Sequence, residues 1–420
     1  MSRSGLPDRP DGGAPAESDL TLRARAARAI PGGLWGHMRA QGLPPGYPQF
    51  FSRADGCKIW DADGREYLDF MCSWGPIVLG HHDPDVEAAA DAQRRAGDVM
   101  NGPAPVLVEL AELMTRQVAH ADWTMFAKNG TDATTVCVTV ARAAGGRRKV
   151  LVARGAYHGA APWCTPSLVG VTAEDRAHLL HYRYNDVASL EEAAAQAGED
   201  LAAVLVSPFR HDYGVDQELA DPGFAQAVRR LCDRTGAALI LDEVRAGMRL
   251  DLAGSWEPLG VRPDLAAWSK AIANGHALAA VTGAERLREA ASSIYATGSF
   301  WCGAASMAAA VATLRKLQAV DGVARMRAMG ERLRDGLAGQ ARAHGIGIRQ
   351  TGPAQMPMLL FDDDPQAELG AAFCAEALRQ GVYLHHRHNM FLSVAHRPED
   401  IDRALEATDR AFSAVAALRG

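Results

Sequence analysis

From about residue 60 to residue 305 the chain alternates short apolar runs with amphipathic helical patterns. The apolar runs are Trp123–Ala127, Val150–Ala153, Ala202–Ser207, Ala237–Leu241, Leu265–Trp268 and Ala277–Thr282. Helical periodicity covers Pro84–Ala96, Val106–Ala119, Asp132–Ala144, Ser189–Gln196, Pro222–Arg234 and Ala284–Ala291. Strands that are apolar on both sides and separated by helices form a largely parallel sheet covered on both faces. This α/β pattern also predicts where chemistry sits. In such sheets ligands bind beyond the carboxyl ends of the strands, so the residues just after each apolar run are the ones to read.

The remainder has a different texture. Helices are predicted near 303–318, 321–343, 367–379 and 399–418, with short strands at Gln355–Phe361 and Val382–Leu384. This describes a smaller α+β unit at 306–420, joined in space by residues 21–60, beside a large unit at 61–305. Residues 1–20 are rich in Gly, Pro, Ser and Asp and read as a disordered tail, not a signal peptide. Lys+Arg 44 against Asp+Glu 50 leaves no basic surplus for nucleic acid. No apolar run approaches the roughly 20 residues of a membrane span. The seven cysteines are scattered without a CxxC. That argues against a disulfide framework or a zinc knuckle and suits a reducing, cytoplasmic setting.

Four strand ends carry polar groups. Lys128-Asn129-Gly130-Thr131-Asp132 follows the first run. A glycine, a threonine hydroxyl and a helix N-terminus there either cradle a phosphate or simply cap the helix. Tyr157-His158-Gly159 follows the second, and offers either a flat ring for a planar ligand or two ordinary loop aromatics. Asp242 ends the Ala237–Leu241 run. It either caps the next helix or meets a cation, since a buried carboxylate is costly without a partner. A protonated pyridine nitrogen at about 4 Å would be attracted by about 4 kcal/mol at an effective dielectric near 20. Lys270 follows Leu265–Trp268 and Ser269, among small residues and without an acidic neighbour in sequence. Only five of the 44 basic residues are lysine (58, 128, 149, 270 and 316), and arginine cannot form an imine. Lys58, Lys149 and Lys316 lie in polar surroundings and Lys128 suits the phosphate turn, so Lys270 is the imine candidate. A phosphate cup, a stacking ring, an acid for a ring nitrogen and an imine-forming lysine are together what pyridoxal 5′-phosphate (PLP) requires.

From about residue 25 to the end, the sequence resembles the class III aminotransferases of fold type I, in the glutamate-1-semialdehyde aminomutase branch. The landmarks are Ile30-Pro31-Gly32-Gly33, Ser73-Trp74-Gly75-Pro76, Leu79-Gly80-His81, Asn129-Gly130-Thr131-Asp132-Ala133-Thr134 and Tyr157-His158-Gly159, then Leu241-Asp242-Glu243-Val244, Ser269-Lys270, Met307-Ala308-Ala309 and Gly381-Val382-Tyr383-Leu384. The resemblance implies a mainly parallel seven-stranded sheet with helices on both faces, plus a smaller α+β domain from both chain ends. It implies PLP bound covalently to Lys270, with Asp242 on the ring nitrogen, Val244 behind the ring and Tyr157 stacked on it beside His158. Asn129, Gly130 and Thr131 match the phosphate cup. Ser299 lines up with a threonine that reaches the phosphate from the other subunit, so a homodimer is implied. Arg39 matches an arginine that binds a substrate carboxylate in the aminomutase branch. Trp74 and Arg210 are placed on the substrate side.

The departures from the family pattern concern the substrate more than the cofactor. Ser207-Pro208 stands where the family often has Glu-Pro, followed by Phe209-Arg210-His211-Asp212, of which Arg210 and His211 add charge or hydrogen-bonding capacity near the expected substrate pocket. Cys302-Gly303-Ala304 replaces Gly-Asn-Pro. The expectation is an aminotransferase of specialised metabolism, moving an amino group from an amino acid donor to a keto or aldehyde acceptor. Aminomutase or racemase chemistry uses the same lysine and stays open at this point. A non-catalytic binding subunit is the reading of another class, against which the retention of Asp242 and Lys270 speaks.

Overall fold

The structure, a computed structural model, describes residues 17–419. Most of the expected tail therefore lies outside the described residues, and its last two positions are not tail at all. Asp19 and Leu20 open a helix, Asp19–Ala29, capped by the Ser18 side chain. Asp19 also accepts the N–H groups of Gln49 (2.8 Å) and Phe50 (2.9 Å), which ties this helix to the next segment.

Three short antiparallel strands come first: β1 (Phe51–Asp55), β2 (Lys58–Asp61) and β3 (Glu66–Asp69). The α/β unit follows with β4 (Trp123–Ala127), β5 (Lys149–Ala153), β6 (Leu179–Tyr182) and β7 (Leu201–Val206). A two-strand ribbon, β8 (Phe209–Arg210) and β9 (Glu218–Leu219), leads to β10 (Ala238–Asp242), β11 (Leu265–Trp268) and β12 (Ala279–Gly283). The C-terminal strands are β13 (Ile348–Thr351), β14 (Met358–Phe361) and β15 (Val382–Tyr383).

Seven strands form the large sheet in the order β4-β12-β11-β10-β7-β5-β6. β6, β5, β7, β10 and β11 are mutually parallel, and β12 alone runs against both its neighbours. Every residue of β7 and β10 is buried, as a sheet covered on both faces requires. The helices Gly130–Gly145 and Pro222–Thr235 are among those that cover it. Their starts obey local rules. Asp221 accepts two N–H groups ahead of Pro222, and Asn129 and Asp132 form a reciprocal capping box.

The chain ends meet in a second sheet, β1-β2-β3-β15, where Leu68 pairs with Val382 in parallel. The Tyr47 hydroxyl donates to the Leu384 carbonyl at 2.8 Å, which adds a second tie between the N-terminal segment and the C-terminal part.

Candidate active site

Register decides the site. Asp242, the last residue of β10, stands opposite Ala267 of β11, so the chain reaches Lys270 three residues further on, beside the carboxylate. The turns after β4 and β5 bring up the cup and the Tyr157-His158 pair at the same sheet edge. One cavity of about 200 Å³ is lined by Asn129, Gly130 and Thr131, by Tyr157 and His158, and by Asp242, Val244 and Lys270. All eight positions came from sequence reasoning.

Asp242 is buried, at 5% exposure, and is held from two directions. His158 Nδ1 lies 2.6 Å from its Oδ2, and the Val244 N–H donates to Oδ1 at 3.1 Å. Because a carboxylate only accepts, Nδ1 carries the hydrogen. His158 in turn is fixed through its carbonyl, which accepts from Thr134 at 2.7 Å. The carboxylate is thus oriented by protein before any ligand arrives.

Lys270 adopts φ +51°, a left-handed conformation that is costly for a residue with a side chain and is often stored at functional sites. Protein surrounds its amine, and the pKa falls from 10.5 to about 7. Burial is the main cause. The Arg245 cation lowers it further, Asp242 opposes, and Arg249 adds a smaller lowering. A neutral amine at physiological pH is the form that attacks a carbonyl. The other lysines are engaged elsewhere. Lys58 pairs with Glu66 at 3.0 Å, Lys149 donates to two helix carbonyls, Lys316 pairs with Asp83 and Asp85, and Lys128 reaches Ser306 at 3.4 Å.

At the cup the capping reading holds, and the geometry leaves room for the other. The Asn129 side chain is the helix cap, accepting from the Asp132 N–H at 3.2 Å. The first N–H groups of the helix, at Gly130 and Thr131, have no partner within the helix and point outward. Glycine is required at 130 because a Cβ would stand 2.7 Å from Val244 Cγ1. Gly159 has φ +134°, and a Cβ there would meet the Thr131 hydroxyl at 2.6 Å. The turns after β4, β5 and β10 therefore pack on one another.

The substrate-side residues fall differently. Arg39 is exposed, with its guanidinium near Gly32, and lies outside the cavity. Arg210 is tied to Asp212 at 2.9 Å and to Glu218, so its charge is spent within the β8–β9 ribbon. Trp74 lines a neighbouring groove and is packed by the rings of His37, His385 and His388. Ser299 sits on an exposed loop away from the cavity. Arg245 was not among the predicted cavity residues, and His211 was expected only near the substrate pocket. Arg245 lines the cavity and donates to Asn389 Oδ1 at 2.6 Å. His211 lines it with a buried Nδ1 that takes no hydrogen bond among the described residues. Burial, with Arg245 and Lys270 adding to it, pushes the His211 pKa well below the usual value, so the ring is neutral. Arg245 had a signal, three residues after Asp242 in the same turn. His211 had its place just after the Ser207-Pro208 strand end.

The donor set fits PLP. A neutral lysine suits its aldehyde, an oriented buried carboxylate suits its ring nitrogen, and free N–H groups at a helix start suit its phosphate. The sequence model of the family "Aminotransferase class-III" matches residues 43–412. The chain belongs to that family. It is a PLP-dependent aminotransferase with Lys270 as the cofactor lysine. An aminopentol aminotransferase of Sphingopyxis macrogoltabida is 51% identical over 394 residues, covering 94% of this chain and 93% of the relative. A Sphingopyxis protein solved in its PLP internal aldimine form superposes with a TM-score of 0.94 at 50% identity, covering 96% of each chain. The glutamate-1-semialdehyde 2,1-aminomutase of Nitrosomonas europaea is 31% identical, covering 93% of this aminotransferase and 96% of the relative.

Proposed function

We propose that this aminotransferase takes its amino group from an amine or amino alcohol that lacks a carboxylate beside the amine, and passes it to a 2-oxo acid, in specialised metabolism. The observation that carries this reading is the placement of the two arginines read on the substrate side, of which Arg39 is the one matched to a carboxylate-binding arginine. Arg39 is exposed outside the cavity and Arg210 is neutralised by Asp212 and Glu218. The likeness to an aminopentol aminotransferase supports the same class of donor. Arg245, inside the cavity, supplies the cation for the acceptor's carboxylate.

When bound, PLP supplies a carbonyl for the amine and a protonated ring that draws electrons from the reacting carbon. The chain's own groups do the rest. Nζ of Lys270 removes the proton from the amine-bearing carbon and returns it on the other side of the transfer. Asp242 holds the ring nitrogen positive, and His158 keeps that carboxylate turned inward. Thr131 and the start of the helix Gly130–Gly145 would hold the phosphate, and the Tyr157 ring would stack on the cofactor.

The assembly we infer is a homodimer, with Ser299 completing the partner's phosphate site. Its exposed loop also carries Tyr295 and Phe300, which are 95% and 63% exposed. The cofactor-binding unit we infer lies within 61–305, and 306–420 with 21–60 form the smaller one; the expected boundary at residue 60 falls too early, because β3 pairs with β2 and β15 in the smaller unit's sheet. All seven cysteines are free thiols, which supports a reducing cytoplasm. Among the described residues no helix is long and apolar enough to cross a membrane.

The test is a donor screen on the holoenzyme, following loss of the Schiff-base absorbance. Amino alcohols are expected to convert the cofactor to its amine form, and a 2-oxo acid to restore it. Conversion by α-amino acids alone would overturn the donor class. Steady turnover of a single amino compound without an acceptor would replace transfer by isomerisation.

A further inference from the structure

A groove of about 640 Å³ lies beside the reaction cavity. Its walls are Leu34, Met38 and Leu43 from the N-terminal segment, Phe51 of β1, Tyr383 of β15, and Trp74. Met38 and Phe51 remain 41% and 43% exposed, so apolar surface is left uncovered along it. Its charged groups are already satisfied. Asp69 and His81 pair at 2.8 Å, and Arg53 stacks 4.4 Å over Trp60 with Asp55 nearby. Burial, together with the charge of Lys270, lowers the His37 pKa, so that ring is neutral too.

One wall of the groove adjoins the Lys270 side chain. Trp74 stands on that wall, and a Cβ on the next residue, Gly75, would lie 3.4 Å from Lys270 Cδ. His37 packs edge-on against Trp74 at 4.7 Å and lies within range of the Lys270 charge. His388 closes the other side of the indole at 5.0 Å and also faces Arg245 and Lys270. An apolar trough with neutral rings on the wall nearest Lys270 matches one kind of molecule.

We propose that this groove holds the chain of the amino donor, so that the enzyme selects linear, long-chain primary amines whose amine-bearing carbon reaches Lys270. This rests on the amine-donor reading above. A donor with a charged chain would have to desolvate that charge against Phe51, Leu43 and Trp74 without a free counterion.

The experiment measures apparent affinity in single turnovers of the holoenzyme with 2-aminoalkanes from 2-aminobutane to 2-aminodecane. Affinity is expected to rise about fourfold per methylene, the factor that corresponds to about 0.8 kcal/mol per buried CH₂, and then to level off when the groove is full. Phe51→Asp should flatten that slope and Phe51→Leu should restore most of it. Met38→Asp is a second, independent probe at an exposed position. A flat series in the wild-type protein, with 2-aminobutane still converting the cofactor, would overturn the groove assignment and leave the amine-donor reading standing. Conversion by α-amino acids but by no amine would remove that reading itself, and the proposal with it. A slope that appears only after deletion of residues 1–16 would assign the groove to the chain's own N-terminus and overturn the proposal.

Discussion

At the residue scale the reaction depends on one amine made neutral by its surroundings. The pKa of Lys270, lowered to about 7 by burial and then by Arg245, has a direct readout in the cofactor-free protein. Below that value the amine is protonated and does not attack a carbonyl. The rate of imine formation with added PLP should therefore rise through about pH 7 and level off above it, measured by stopped-flow absorbance. A midpoint near the ordinary lysine value would contradict the site's electrostatics. Stability follows the same sign. The cost of burying this amine is fully present below about pH 7 and fades as pH rises toward 10.5, where the unfolded chain also loses the proton. Arg245→Leu removes a cation beside the amine, so it should move the reconstitution midpoint upward. It should also raise KM for the oxo acid several-fold while leaving KM for the amine donor nearly unchanged. Lys270 was legible in the sequence because lysine is so scarce. Arg245 was not, because nothing local says which side of a turn faces a cavity.

At the element scale, three turns after β4, β5 and β10 are fitted to one another through atoms too small to tolerate change. Gly130→Ala would press a methyl group onto Val244. Overpacking of this kind typically costs about 1–3 kcal/mol. It also displaces the N–H groups that face the phosphate, so PLP affinity should fall at least about tenfold in a titration of the cofactor-free protein. Adding Val244→Ala should recover part of the thermal stability, because neighbouring substitutions couple. No recovery in the double variant would show that the two turns do not share this contact. The runs Trp123–Ala127 and Leu265–Trp268 were read residue for residue, since each is a short, mainly apolar block with sharp polar flanks, Asp122 and Lys128 in one case and Asp264 and Ser269 in the other. β6 was missed because His181 interrupts its apolar character and faces solvent. The direction of β12 had a clue in its connection. The 269–278 segment after β11 is short for a parallel crossover, which takes a dozen or more residues.

At the scale of the whole molecule, one chain leaves Ser299 outside the cavity lining and large rings exposed beside it. A dimer is expected by light scattering, and Tyr295→Glu combined with Phe300→Glu should yield monomers with weakened PLP retention. A monomeric wild-type protein with full PLP affinity would show that Ser299 has no role across an interface. The sequence by itself determined the α/β plan, the cofactor set and the lysine, because each follows from periodicity and from residue types placed at strand ends. Tertiary structure alone decided that Arg39 and Arg210 stay out of the cavity while Arg245 and His211 enter it, and that β3 pairs with β15 across the length of the chain. The reason is that the side chains meeting in a cavity, and the strands meeting in a sheet edge, are set by register and packing between distant segments, which no local pattern encodes.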